Sequence, residues 1–197
     1  GGETGAAKGT PILFVVTCSL PAHSGRLHSL DGAGHSVELF GHAGHLDRVA
    51  MADVDLDGVP EIVVGGFDGQ RKEANLHLLH PPARRGAPAE LEAEVFFPRT
   101  ALNRRLADQN RVSRLTARPG YLQVSTLEWL DEDRHEVCYR LDSQLRASAW
   151  FCDPFPALRH RPAADCAQPA ISESDEIAGL RGAVEVVRHG VTPAVGR

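Results

Sequence analysis

No part of this chain is long and apolar enough to cross a bilayer as a helix, which takes about 20 residues. The longest candidate, Ile12 to Thr17, has only the length of a strand. Lysine is nearly absent, with two residues against nineteen arginines, and the arginines are scattered over a chain of net charge −5. That excludes the clustered basic face of a nucleic-acid binder. There is no C-x-x-C, C-x-x-C-H, H-E-x-x-H, G-x-S-x-G, G-x-G-x-x-G or P-loop. Zinc ribbons, c-type haem, zincins, nucleophile elbows and dinucleotide folds therefore have no sequence support, and the chain reads as non-enzymatic. The only methionine is Met51, and the chain begins Gly1-Gly2-Glu3. We read this as a mature or trimmed product whose targeting segment is gone. Scarce lysine beside frequent alanine, glycine, proline and arginine reads as a GC-rich bacterial bias.

A sustained 3.6-residue stripe is missing too. Short alternating runs punctuated by turn residues take its place and predict an all-β chain. The most informative stretch runs from Met51 to Gly66. Asp53, Asp55 and Asp57 alternate, Gly58 follows, Glu61 comes next, and an apolar strand starts at once. Oxygen donors at positions 1, 3, 5 and 9 of a tight loop, with the Val59 carbonyl at 7, suit a hard cation such as Ca2+. Gly58 permits the sharp turn that folds the donors inward. Magnesium ranks lower, because it prefers octahedral sites rich in water. The competing reading is a solvated acidic turn without an ion. An EF-hand is excluded, since position 12 is Val64 and both flanks read as strands.

These residues resemble the FG-GAP or VCBS type of β-propeller repeat, whose signature is an Asp-x-Asp-x-Asp-Gly-x-x-Asp/Glu loop leading into an Ile/Val strand. Asp53, Asp55, Asp57 and Glu61 match it position by position. The match is specific over about residues 47 to 80 and weaker elsewhere. It implies blades of antiparallel meander, a calcium ion in the loop, and an interaction or structural role at a cell surface.

The rest of the chain echoes this unit. Gly9 to Val16 lines up with Gly58 to Gly65, and Gly25–Leu30 with Ala74–Leu79. Third strands follow at Ser36–Phe40 and Leu91–Phe97. Only Glu3 to Lys8 precede Gly9, so the first unit is expected to hold no metal. A fainter third unit covers Arg111–Leu115, Tyr121–Leu127, His135–Leu141 and Ala147–Phe151, with Arg118-Pro119-Gly120 standing where the acidic loop would be. Asp131-Glu132-Asp133 reads as a solvated hairpin turn. We expect two to three propeller-like blades within residues 1–155, at about 9–46, 47–98 and 111–152. Pro81–Glu90 reads as a surface loop, 98–110 as a short helical or irregular bridge, and 156–197 as an extended irregular tail. A possible last strand at Gly182–Arg188 would pair with an open blade edge.

Two or three blades cannot close a propeller, which needs about four or more. The expected partners are therefore other chains of a complex or the remainder of a larger propeller. Among ten histidines, His35, His42 and His45 precede the acidic loop, but their spacing fits no helix face. His28 and His77 take equivalent places in two repeats, which points to a structural position. Of four cysteines, Cys138 with Cys152, or Cys152 with Cys166, are the local pairs open to a disulfide; four buried thiols are the alternative. We expect an exported, calcium-stabilised structural or interaction subunit, extracellular, surface-borne or periplasmic. Alternatives are a carbohydrate-binding module stacking sugars on Tyr121, Trp129, Tyr139 or Trp150, and an accessory domain of a larger secreted hydrolase.

Overall fold

A computed structural model describes residues 12–19, 24–82, 84, 86–100, 110–130, 133–152 and 172–190. Among the described residues the chain is all-β with one short helix. Its strands are β1 (Ile12–Ser19), β2 (Ser24–Asp31), β3 (Ser36–His42), β4 (Gly44–Ala52), β5 (Glu61–Asp68), β6 (Glu73–His80), β7 (Glu90–Phe97), β8 (Asn110–Arg118), β9 (Tyr121–Leu130), β10 (Asp133–Asp142), β11 (Ala147–Phe151) and β12 (Glu185–Arg188). Helix α1 (Glu173–Gly182) lies between β11 and β12. They form three antiparallel sheets, ordered β1-β2-β3, β12-β7-β6-β5-β4 and β11-β10-β9-β8, and none closes on itself.

The five-stranded sheet lies between the other two. One face carries Val63, Leu76, Leu78, Ala93 and Val95 into a core shared with Val112, Leu122, Val124, Tyr139 and Leu141 of the third sheet. The opposite face sends Ile62, Val64 and Leu79 into a core with Leu27, Leu39 and Leu46. Covered on both sides, β5 is buried from Glu61 to Phe67. This explains why its sequence is an unbroken apolar run rather than an alternating one. Small residues let the sheets approach. A Cβ on Gly65 would lie 2.9 Å from Val112 Cγ1, and one on Gly25 would lie 2.6 Å from Leu46 Cγ.

The repeats are carried into the hydrogen-bond register. Moving 49 residues along takes β1 onto β5 and β2 onto β6, end for end (12 to 61, 24 to 73), and Val15↔His28 onto Val64↔His77. β1 and β2 pack on β4 as β5 and β6 pack on β8. β4 and β8 are likewise 66 apart (44 to 110), and β4 runs beside β8. Each has one register slip, between Leu46 and Arg48 and between Val112 and Arg114. The extra residues of these bulges are Asp47 and Ser113, and Arg48 Nε donates to the Ser113 carbonyl at 2.9 Å. The hairpins differ in their connection. Residues 53–60 join β4 to β5, whereas Pro119-Gly120 alone joins β8 to β9.

The unit boundaries differ from the expected ones. β3 ends at His42 and β4 starts at Gly44, so the first sheet stops before residue 46. The expectation of an irregular tail needs correcting. Ser172 caps α1, its Oγ accepting from the Asp175 N–H at 3.1 Å, and Glu173, Asp175 and Glu176 occupy the first turn. Leu180 and Ile177 anchor the helix on the main core beside β11. The last strand is β12, at the outer edge of the middle sheet beside β7, in register Val186↔Val95. Arg71 ties it down, pairing with Glu185 at 2.6 Å while stacking 3.8 Å over the Phe96 ring. Cys138 and Cys152 are disulfide-bonded. The expectations for residues 1–11, 101–109, Asp131-Glu132 and 156–171, Cys166 included, fall outside the described residues. No helix among the described residues is long and apolar enough to span a membrane.

Candidate metal centre

The acidic residues sit on the connection between β4, an edge strand of the middle sheet, and its neighbour β5. β4 ends at Ala52 and β5 begins at Glu61, so the ladder holds both ends of the loop. Leu56 (φ 69°) and Gly58 (φ 93°) adopt left-handed backbone, which coils the intervening residues tightly. Three carboxylates brace the coil from within. Asp53 Oδ2 accepts from the Gly58 N–H at 3.1 Å, Asp55 Oδ1 from Asp57 at 3.1 Å, and Asp57 Oδ1 from Val59 at 2.7 Å. Glu61 Oε2 reaches back to the Val54 N–H at 2.6 Å. The Asp53 carbonyl accepts from Gly120 at 3.0 Å, so the loop is seated on the neighbouring hairpin turn.

One carboxylate oxygen from each of Asp53, Asp55, Asp57 and Glu61 lies within 4.8 Å of the other three. The four residues named from the sequence are therefore together in space. Val59 lies in the same loop through its amide; its carbonyl remains part of the proposal below. Asp55 and Asp57 face solvent, whereas Glu61 has no exposed surface. Asp53 Oδ1 and Glu61 Oε1 are buried without a hydrogen-bond partner. Burial raises the Glu61 pKa to about 7, with the negative charges of Asp55 and Glu92 adding to it and the Val54 amide opposing. The arginine ion pairs Arg26–Glu38, Arg71–Glu185, Arg114–Glu136 and Arg146–Asp142 all go to other carboxylates. A crowded, all-oxygen donor set with buried unpartnered oxygens fits a hard divalent cation.

The remaining sequence candidates disperse. His35 pairs with Asp31 at 3.1 Å, and His45 Nδ1 lies 2.7 Å from Cys18 Sγ. Burial and the Asp47 charge push the Cys18 thiol up, the reverse of an activated nucleophile. His42 instead packs on His77 with ring centroids 4.5 Å apart; His77 also meets Asn75 at 2.9 Å and Glu94 at 3.3 Å. Thus His77 is a buried structural histidine. Tyr139 is wholly buried against Phe97 and unavailable to a sugar, while Tyr121 lies under the Arg140 guanidinium at 4.4 Å. Two residues beside the acidic loop, His80 and Glu92, escaped the sequence reading. They come from β6 and β7, and only strand register brings them near Glu61.

Comparison with protein-family models, with curated proteins and with solved structures found no match to this chain.

Proposed function

We propose that this chain is a non-enzymatic, calcium-stabilised β-propeller-like module, serving as a structural or interaction subunit of an exported bacterial assembly. The observation that carries the reading is the convergence of Asp53, Asp55, Asp57 and Glu61 in one hairpin loop, with buried oxygens left unpartnered. Calcium bound there, with the Val59 carbonyl completing the donor set, rigidifies the β4–β5 hairpin. Binding only the folded state adds stability by mass action. The blade reading is supported by face-to-face stacking of three meanders and by the 49- and 66-residue repeats of register. The need for a partner is supported by open sheet edges: among the described residues, β1 and β3 each pair with β2 alone. Exposed Ile12 and Leu13 on β1 are the kind of edge residues that another strand covers. Export is supported by the Cys138–Cys152 disulfide, which persists in oxidising compartments.

Calorimetry with calcium and with chelator tests the metal. The melting temperature is expected to rise with calcium in the native chain and to stay flat in Asp55→Ala. A native chain indifferent to calcium removes the ion from the proposal. Sizing the isolated chain tests the partner, and a stable, soluble monomer would count against an obligate one.

A further inference from the structure

The middle sheet ends in a second cluster that the acidic loop does not contain. Glu61 opens β5 and His80 closes β6, one step beyond the Ile62↔Leu79 pair that joins these strands. A third residue comes from β7. The register slips between Leu78↔Ala93 and Leu79↔Leu91, leaving Glu92 as the extra residue of a bulge. A bulge re-aims a side chain that regular pleating would direct elsewhere. Here an oxygen of Glu61, a ring nitrogen of His80 and an oxygen of Glu92 all lie within 4.8 Å of one another.

Each of the three also carries a polar atom with no partner. Glu61 Oε1, His80 Nδ1 and Glu92 Oε2 are buried and make no hydrogen bond, and Glu61 has no exposed surface at all. Buried polar atoms are ordinarily paired, so three orphans gathered at one place call for a missing ligand. The charges acting on Glu92 are Asp55, Asp57, His80 and Arg188, and the Arg188 guanidinium spends its hydrogen bond on the Gln144 carbonyl at 3.2 Å.

We propose that Glu61, His80 and Glu92 form a second divalent-cation site that takes a zinc-class ion. An imidazole nitrogen beside two carboxylates is a mixed donor set suited to zinc, whereas calcium selects oxygen alone. Three protein donors leave a fourth position for water or a ligand. The site has donors of its own, because His80 and Glu92 lie outside the acidic loop. Only Glu61 is common to both clusters, so occupancy of one site alters the other.

The test is zinc titrated calorimetrically into the full chain in calcium-saturated buffer. One zinc per chain is expected. His80→Gln and Glu92→Gln should each weaken it at least ten-fold, while leaving calcium-dependent melting in place. Equal zinc affinity in the native chain and both variants overturns the site, as does a native chain that takes up no zinc. Zinc-edge X-ray absorption of the native chain guards against a variant that misfolds. One imidazole among oxygen donors is expected, and a sphere of oxygens only, or of several imidazoles, overturns the assignment. A chain that binds zinc in this way but ignores calcium retains this site and loses the loop proposal.

Discussion

The β4–β5 and β8–β9 hairpins share register and bulge position, yet one turns through eight residues, three of them aspartates, and the other through Pro119-Gly120. The comparison teaches that the ladder does not need the loop. A two-residue turn closes the same pleated pair, so residues 53–60 are present for something other than pairing. Ordering six extra residues costs conformational entropy, of the order of 1–2 kcal/mol per residue for the backbone. The internal Asx bonds offset part of that cost, and an ion would offset the rest.

The sharpest break of the comparison is at the residue opposite each bulge. Gly66 pairs with Leu46 as the buried Thr126 pairs with Val112. A Cβ on Gly66 would lie 1.8 Å from the His45 carbonyl oxygen. Gly66→Thr, which copies the third sheet, should cost roughly 3 kcal/mol or more in urea denaturation. A loss under about 1 kcal/mol would mean that the β4 backbone yields there.

The next effect concerns a covalent device of the third sheet. The Cys138–Cys152 bridge closes 14 residues of chain. Replacing both cysteines with serine should cost about 3 kcal/mol. If reductant leaves the native midpoint unmoved, the bridge carries no stability.

Exchanging the connections themselves comes third. Pro-Gly in place of residues 53–60 should give a folded chain without calcium-dependent melting. It should lie within about 2 kcal/mol of the native calcium-free chain, since the Asp53–Gly120 and Val54–Glu61 hydrogen bonds go with the loop. Failure to fold would show that the loop is structural without any ion.

The smallest effect separates the sheets by acid sensitivity. Glu94, on β7, is held at a pKa of about 2 by its hydrogen bond to His77, opposed by partial burial and aided by His189. Its folded value is below its unfolded one, so the contribution is present above about pH 4.5 and fades as pH falls toward 2. After solvent screening we expect about 1–2 kcal/mol. Glu94→Gln should flatten that limb of the stability–pH curve; an unchanged limb would assign the acid loss to other groups.

Local chemistry made some of this legible in advance. The acidic loop could be read because its four carboxylates lie within nine consecutive residues and the strand after it is apolar. The 49-residue echo could be read because β1–β2 and β5–β6 share punctuation. Pro119-Gly120 stood out because that pair can hardly be anything but a turn. Helix α1 escaped because Glu176, Ile177 and Leu180 mark its inner side, one of them charged, too few apolar residues for a 3.6 period. Its one strong signal was Ser172 three residues before Asp175. The existence of β12 was readable, but not its partner, since β7 lies about 90 residues earlier. The bulge at Glu92 left no trace, because a register slip is a relation between strands.

The amino-acid order alone determined the β-rich character, the acidic turn and the repeat, since each depends on alternation, backbone freedom and charge among near neighbours. Only the tertiary structure decided which sheet is covered on both faces, where β12 docks, and that His80 and Glu92 stand beside Glu61. Those depend on pairing register between distant strands, where a slip of one residue turns a side chain to the opposite face.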